Sequence, residues 1–170
     1  MLFYKGAPMK KYLSISGTIM SIEPFSTSPN SSSTCTLLIG LRGSNKDLNY
    51  FILDKNTYFV NHVTLKRGDS ITAFYDAMMP TPLIFPPRYH AVVIAPMMRH
   101  ALIKVDYFNQ KLISGDGQLQ IVIGSRTKIL LSNNQTFLGK LGDQDLVVIY
   151  TATTKSIPAQ TTPNEIIVLC

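Results

Sequence analysis

The sequence predicts an all-β protein made of two tandem small β-barrel units that arise from an internal repeat. Three observations predict it. First, the stretch Phe51-Ile52-Leu53-Asp54-Lys55-Asn56-Thr57-Tyr58-Phe59 recurs in outline as Ile121-Val122-Ile123-Gly124-Ser125-Arg126-Thr127-Lys128-Ile129, and Ile71–Ala77 recurs as Leu146–Ala152. Each copy then passes through a Pro-containing stretch into a closing apolar run, Ala91-Val92-Val93-Ile94 and Ile166-Ile167-Val168-Leu169. The offset grows from 70 residues at the first match to 75 at the second, as a slightly longer connection in the second copy requires. Such a period is too long for a solenoid and fits two small domains or two halves of one. Second, short apolar or alternating runs are parted by Gly, Pro and Asn turns at regular spacing, the pattern of sandwiches and barrels. Third, no amphipathic helix longer than about two turns is visible.

Taken in order, Tyr12 to Ile19 alternates apolar and small polar residues, the half-buried strand period. Phe25 to Thr34 is rich in Ser, Pro and Asn and reads as an exposed hairpin loop. Thr36–Leu41 and Asn49–Leu53 are strands around the polar turn Gly43–Asp47, and Thr57–Val60 is a short strand or a helical turn. Gly68-Asp69 is a tight turn before the strand Ile71–Asp76, glycine accepting positive φ and aspartate bonding nearby N–H groups. That turn also explains the Arg67-Gly68-Asp69 tripeptide without a receptor. Met78 to Pro87 is an apolar, proline-rich connection, and Tyr89–Ile94 closes the first unit. In the second unit Leu102–Phe108 is a strand and Leu112–Ile123 a hairpin around Ser114-Gly115-Asp116-Gly117. Thr127–Leu131, Leu146–Tyr150 and Glu165–Leu169 follow as strands.

About five strands per unit points to small closed barrels of the oligonucleotide/oligosaccharide-binding (OB-like) type, because closure removes the exposed edges of a small all-β unit. The alternative is one larger sandwich with strands of both copies interleaved. The expected organisation is an N-terminal extension over 1–11, a first unit over 12–95, a linker over 96–101 and a second unit over 102–170.

Composition narrows the classes of function. The apolar fraction of 45% and charged fraction of 15% are those of a globular protein rather than a disordered one. The net charge of +6 is spread from Lys5 to Lys155, with only Lys10-Lys11 and Lys66-Arg67 adjacent, whereas nucleic-acid binders gather their cations on one face. Cys35 and Cys170 have no CxxC neighbour and read as free thiols. No run reaches the roughly 20 apolar residues of a membrane span, and the N-terminus lacks the apolar core of a signal peptide, so a cytoplasmic location is expected.

One stretch of pattern resembles a known family. The strings Tyr12–Ile19, Asp54–Val60, Phe74-Tyr75-Asp76-Ala77, Pro82–Val93, Val148-Ile149-Tyr150 and Ser156–Pro163 together resemble an OB-like β module of clostridial and related Firmicute proteins. In those proteins it often accompanies a copper-amine-oxidase N-terminal-like domain. The resemblance spans nearly the whole chain, implies no copper and carries no established activity. It implies a cell-surface or secreted location as the alternative to the cytoplasm, and this chain departs from exported relatives in lacking an evident signal sequence.

The residues argue against several chemistries. Most carboxylates sit in turns, so a hydrolytic pair has little footing. His62, His90 and His100 match no zinc spacing. No GxSxG elbow and no phosphate-binding glycine pattern is present. No cofactor and no metal is expected, and the protein is expected not to be an enzyme.

The candidate contact residues are Asp76, Met78, Met79, Leu83, Phe85, Arg88, Tyr89 and His90. Asp76 could orient His90 or pair with Arg88 in a small polar cluster that includes Tyr75 and Tyr89; as a site for hydrolysis this is the least favoured reading. The apolar loop from Met78 to Pro87 either packs between the halves or faces a partner, and proline lowers the ordering cost of such a contact. The leading expectation is a binding or assembly module, with a homo-oligomer or protein partner on this loop. The alternative is single-stranded nucleic acid or glycan stacked on aromatic side chains of an open barrel face.

Overall fold

The computed structural model describes residues 10–26 and 35–170. Most of the expected N-terminal extension and of the Phe25–Thr34 loop lies outside the described residues. The fold is all-β, as expected. The chain divides into two units, Met1–Met97 and Met98–Cys170, a boundary inside the segment predicted as the linker. Each sheet takes all its strands from one unit, so strands of the two copies do not interleave in one sheet.

In the first unit β1 (Tyr12–Pro24), β2 (Leu37–Gly43), β3 (Leu48–Leu53), β4 (Tyr58–Phe59), β5 (Ser70–Asp76), β6 (Arg88–His90) and β7 (Val93–Pro96) form one seven-stranded sheet in the order β4-β7-β5-β1-β2-β3-β6. β1 is long because it serves two neighbours. Its first half pairs antiparallel with β5, from Tyr12↔Asp76 to Thr18↔Ser70, and its second half with β2, from Gly17↔Gly43 to Pro24↔Leu37, with a register shift between Ile19 and Ser21. Gly17 stands at the changeover, where any Cβ would strike the carbonyl of Arg42.

The predicted strand Tyr89–Ile94 is in fact two strands, because it changes neighbours midway. β6 runs parallel to β3 and β7 antiparallel to β5. Between them the Ala91 N–H donates to the Ile52 carbonyl at 3.0 Å and the Val92 N–H to the Phe74 carbonyl at 2.8 Å. Two adjacent residues thus bond to opposite sides, β3 and β5. The ambiguous segment from Thr57 proves to be both alternatives in succession, β4 followed by a 3-10 turn over Val60–His62.

The second unit contains β8 (Leu102–Phe108), β9 (Leu119–Ile121), β10 (Lys128–Leu131), β11 (Gln144–Tyr150), β12 (Ala159–Thr161) and β13 (Glu165–Leu169). They form a four-stranded sheet, β10-β13-β11-β8, and a two-stranded one, β12-β9. The pairings repeat those of the first unit. β8 is antiparallel to β11 as β1 is to β5. β13 is antiparallel to β11 and parallel to β10, as β7 is to β5 and β4. β12 is parallel to β9 as β6 is to β3. No named strand of the second unit corresponds to β2; two isolated bridges, Phe108↔Ser114 and Ile113↔Gln120, lie between β8 and β9. The predicted hairpin over 112–123 is correspondingly short.

Each unit has its own core. Ile19, Ile39, Leu41, Phe51, Leu53, Ile71, Ala73, Ala91 and Ile94 form that of the first. They sit at alternate positions in β2, β3 and β5, as the strand period requires. Phe108, Leu119, Ile121, Leu141, Leu146, Val148, Ile166 and Val168 form that of the second. Among the described residues no helix is long and apolar enough to cross a membrane.

Candidate functional site

The expected contact residues fall on one loop and the strand that follows it. Asp76 ends β5, and its Oδ1 accepts the N–H groups of Lys11 at 3.1 Å and Met78 at 3.0 Å. An aspartate at the end of a strand commonly ties the next turn in this way. Beyond it Met78 and Met79 are 61% and 46% exposed, and Leu83 and Phe85 are fully in solvent at 105% and 94%. β6 then returns the chain to β3.

The expected partnership of Asp76 with His90 or Arg88 is corrected by the structure. His90 Nε2 lies 2.5 Å from Oδ2 of Asp54, at the end of β3, because the parallel register sets His90 beside Ile52. Asp54 also accepts the Asn56 N–H at 2.8 Å. Partial burial pushes the Asp54 carboxyl up, but the bonds from His90 and Asn56, with the positive charge of His90 and Lys55, outweigh it and hold the carboxyl below its ordinary range. Nδ1 of His90 is buried and has no partner among the described residues. Arg88 instead lies over the ring of Phe25, its Cζ 5.7 Å from the centroid, a cation–π distance. Tyr89 turns inward and stacks on Tyr75 with centroids 4.2 Å apart, the two packing against Phe51. Burial, with the neighbouring Tyr89 hydroxyl, raises the Tyr75 phenol. Of the eight expected residues, the structure thus joins Met78, Met79, Leu83 and Phe85 as one exposed loop, and gives Asp76, Arg88, Tyr89 and His90 separate partners.

The sequence reading did not single out Thr57, Asp54 or Phe25. Thr57 had a signal: in the first repeat match it is the only residue identical in both copies, as Thr127. The structure explains the identity. Thr57 Oγ1 accepts the Asp54 N–H at 3.1 Å and donates to the Ala91 carbonyl at 2.8 Å. Thr127 Oγ1 accepts the Gly124 N–H at 3.1 Å and donates to the Pro163 carbonyl at 2.8 Å. The next bonds match as well, Tyr58 N–H to Val92 O at 2.9 Å and Lys128 N–H to Asn164 O at 3.0 Å. These bonds align Asp54 with Gly124 and His90 with Thr162.

A second polar group sits in the other unit. Asp106 is 8% exposed and accepts the N–H groups of Tyr107 at 2.8 Å and Asp116 at 3.2 Å. Burial, aided by the charge of Asp116, raises its carboxyl despite those bonds. Asp116 is itself buried in part, yet Lys104, Ser114 and the Gln118 N–H hold its carboxyl low. Every member has a partner, which marks this group as the framework of the Ser114–Gln118 turn. Among the described residues no group of three or more metal-ligating side chains occurs, and Cys35 and Cys170 are free and exposed. Compared with protein-family models and with curated proteins, the chain matches none.

Proposed function

We infer that each unit is a small barrel of the OB-like type, the second a shortened copy of the first, and that the chain is a non-catalytic binding or assembly module. The continuous succession β3-β2-β1-β5, joined at both ends by the segment from Arg88 to Pro96, supports the barrel reading of the first unit. The matched ladders and the shared Thr57 and Thr127 bonds support the repeat. The resemblance to a clostridial module stands beside them as a proposal.

The contact surface is the loop from Met78 to Pro87, and a second copy of the chain is its partner. The observation that carries this is the full exposure of Leu83 and Phe85 within one loop, flanked by exposed Met78, Met79 and Ile84. Covering a side chain of this size is worth about 1.5–3 kcal/mol, and exposed apolar patches mark interaction sites.

Light scattering on the wild type and on Leu83→Asp/Phe85→Asp tests the reading. Both side chains lie in solvent, so the variant is expected to fold. An oligomeric wild type and a monomeric variant support the loop as an assembly surface; an equal mass for both sinks it. A second reading, binding of single-stranded nucleic acid or glycan, is favoured by Arg88 over Phe25 beside Tyr50, its register partner on β3. Oligonucleotide affinity that falls steeply with salt would select it.

A further inference from the structure

The second unit holds a shallow cleft of about 400 Å³, lined by residues 124–127 and 162–164. The loop from Met78 to Pro87 has no part in it. Its place in the fold is that of the Asp54–His90 pair in the first unit, since the Thr57 and Thr127 bonds align the two turns residue by residue. In the first unit a carboxylate fills this place from within: Asp54 takes the N–H of Asn56 and the imidazole of His90. In the second unit glycine stands at the aspartate position and threonine at the histidine position. The methyl of Thr162 comes within 2.6 Å of where a Cβ on Gly124 would be, so no side chain grows from the turn at that point. The N–H of Arg126, counterpart of the Asn56 N–H, has no acceptor among the described residues. The Arg126 guanidinium is exposed and has no carboxylate partner among them either.

We propose that this cleft is a binding site for a small organic carboxylate, whose carboxylate takes the role that Asp54 plays internally in the first unit. The Arg126 N–H and guanidinium hold its two oxygens, a charge-assisted pairing of the stronger kind. Ser125, Thr162 and Asn164 line the remaining volume and would meet the rest of the ligand. The cleft falls in the size range of small-molecule sites, and a carboxylate alone does not fill it. In the first unit Asp54 itself takes the corresponding place, bonded to the Asn56 N–H and to His90.

The test is a titration of the isotope-labelled full chain, followed by amide chemical shifts, with N-acetylalanine and with its neutral isostere N-acetylalaninamide. The acid is expected to move the amides of Ser125, Arg126, Thr127 and Asn164 and to leave those of 54–57 in place; the neutral isostere is expected to move neither set. Arg126→Gln removes an exposed charge without touching the core and is expected to weaken the acid at least roughly tenfold. Gly124→Asp/Thr162→His installs the internal pair of the first unit and is expected to abolish binding. Silence of the four amides, an equal response to the neutral isostere, or undiminished binding in either folded variant overturns the proposal. Because these residues lie apart from the Met78–Pro87 loop, the outcome is independent of the assembly reading.

Discussion

The two units treat the same turn differently. In the first, Asp54 and His90 face one another across it; in the second, Gly124 and Thr162 do. Three residues after the aspartate or glycine, however, the threonine is kept, and it makes the same two bonds in both. The difference teaches which parts of the two turns are framework. A hydroxyl that satisfies a backbone N–H and a backbone carbonyl at once cannot be lost without stranding both groups. The pair in front of it is a partly exposed salt bridge, and such pairs contribute little to stability and are free to diverge. A second contrast lies in the β1–β2 arm. The first unit extends its hairpin over seven register pairs, whereas the second reduces it to the Phe108↔Ser114 bridge.

The comparison can be broken most forcefully at the cores. Phe51 and Phe108 are both fully buried, one in each unit. Phe51→Ala and Phe108→Ala should each cost about 3–5 kcal/mol, the usual range for emptying such a site. Hydrogen exchange read residue by residue should show the loss of protection in the unit that carries the change; equal loss in both units from either variant would deny them separate cores. A smaller effect is expected at the shared threonines. Thr57→Val and Thr127→Val keep the shape but strand an N–H and a carbonyl, at a cost of about 1–3 kcal/mol in each case. Chemical denaturation of the two variants checks this, and a marked loss in one with none in the other would undo the equivalence of the turns.

The smallest effect is on pH dependence. The Asp54 carboxyl is held below its ordinary value of 3.8 in the folded protein. Its charged form therefore adds stability that is present above 3.8 and lost as pH falls through the lower folded value. Asp54→Asn should flatten the acid limb of the first unit's stability and leave the second unit's unchanged. Asp106 works in the opposite sense. Its raised carboxyl favours the folded state in acid, and that contribution is lost as pH rises through the folded value. An acid limb unaltered by Asp54→Asn would show that the His90 contact contributes nothing in solution.

Much of the fold was legible in the sequence because strand period and turn chemistry are local. Leu102–Phe108 and Glu165–Leu169 were predicted to the residue, and Ile71–Asp76 to within one. The turn at Gly68-Asp69 has the positive φ its glycine suggested, 94°, with Asp69 Oδ2 accepting the Lys66 N–H at 2.8 Å. The Leu141-Gly142-Asp143 segment before β11 places its positive φ on Asp143, a detail no spacing reveals. β12 went unseen because Ala159–Thr161 lies in a polar, proline-flanked stretch without alternation, and its strand character comes from the β9 edge beside it.

The candidate site divides along the same line. The sequence by itself determined that the chain is all-β and that an apolar loop joins β5 to β6, since each of these follows from the order of apolar, polar and turn residues over short distances. Only the tertiary structure decided that Leu83 and Phe85 face solvent, that His90 meets Asp54 rather than Asp76, and that Gly124 and Thr162 come together at the rim of a cleft. These partners are 36 residues apart for His90 and Asp54, and 38 for Gly124 and Thr162. What brings them together is the parallel register of β6 on β3 and of β12 on β9, a choice of strand neighbour that no local pattern encodes.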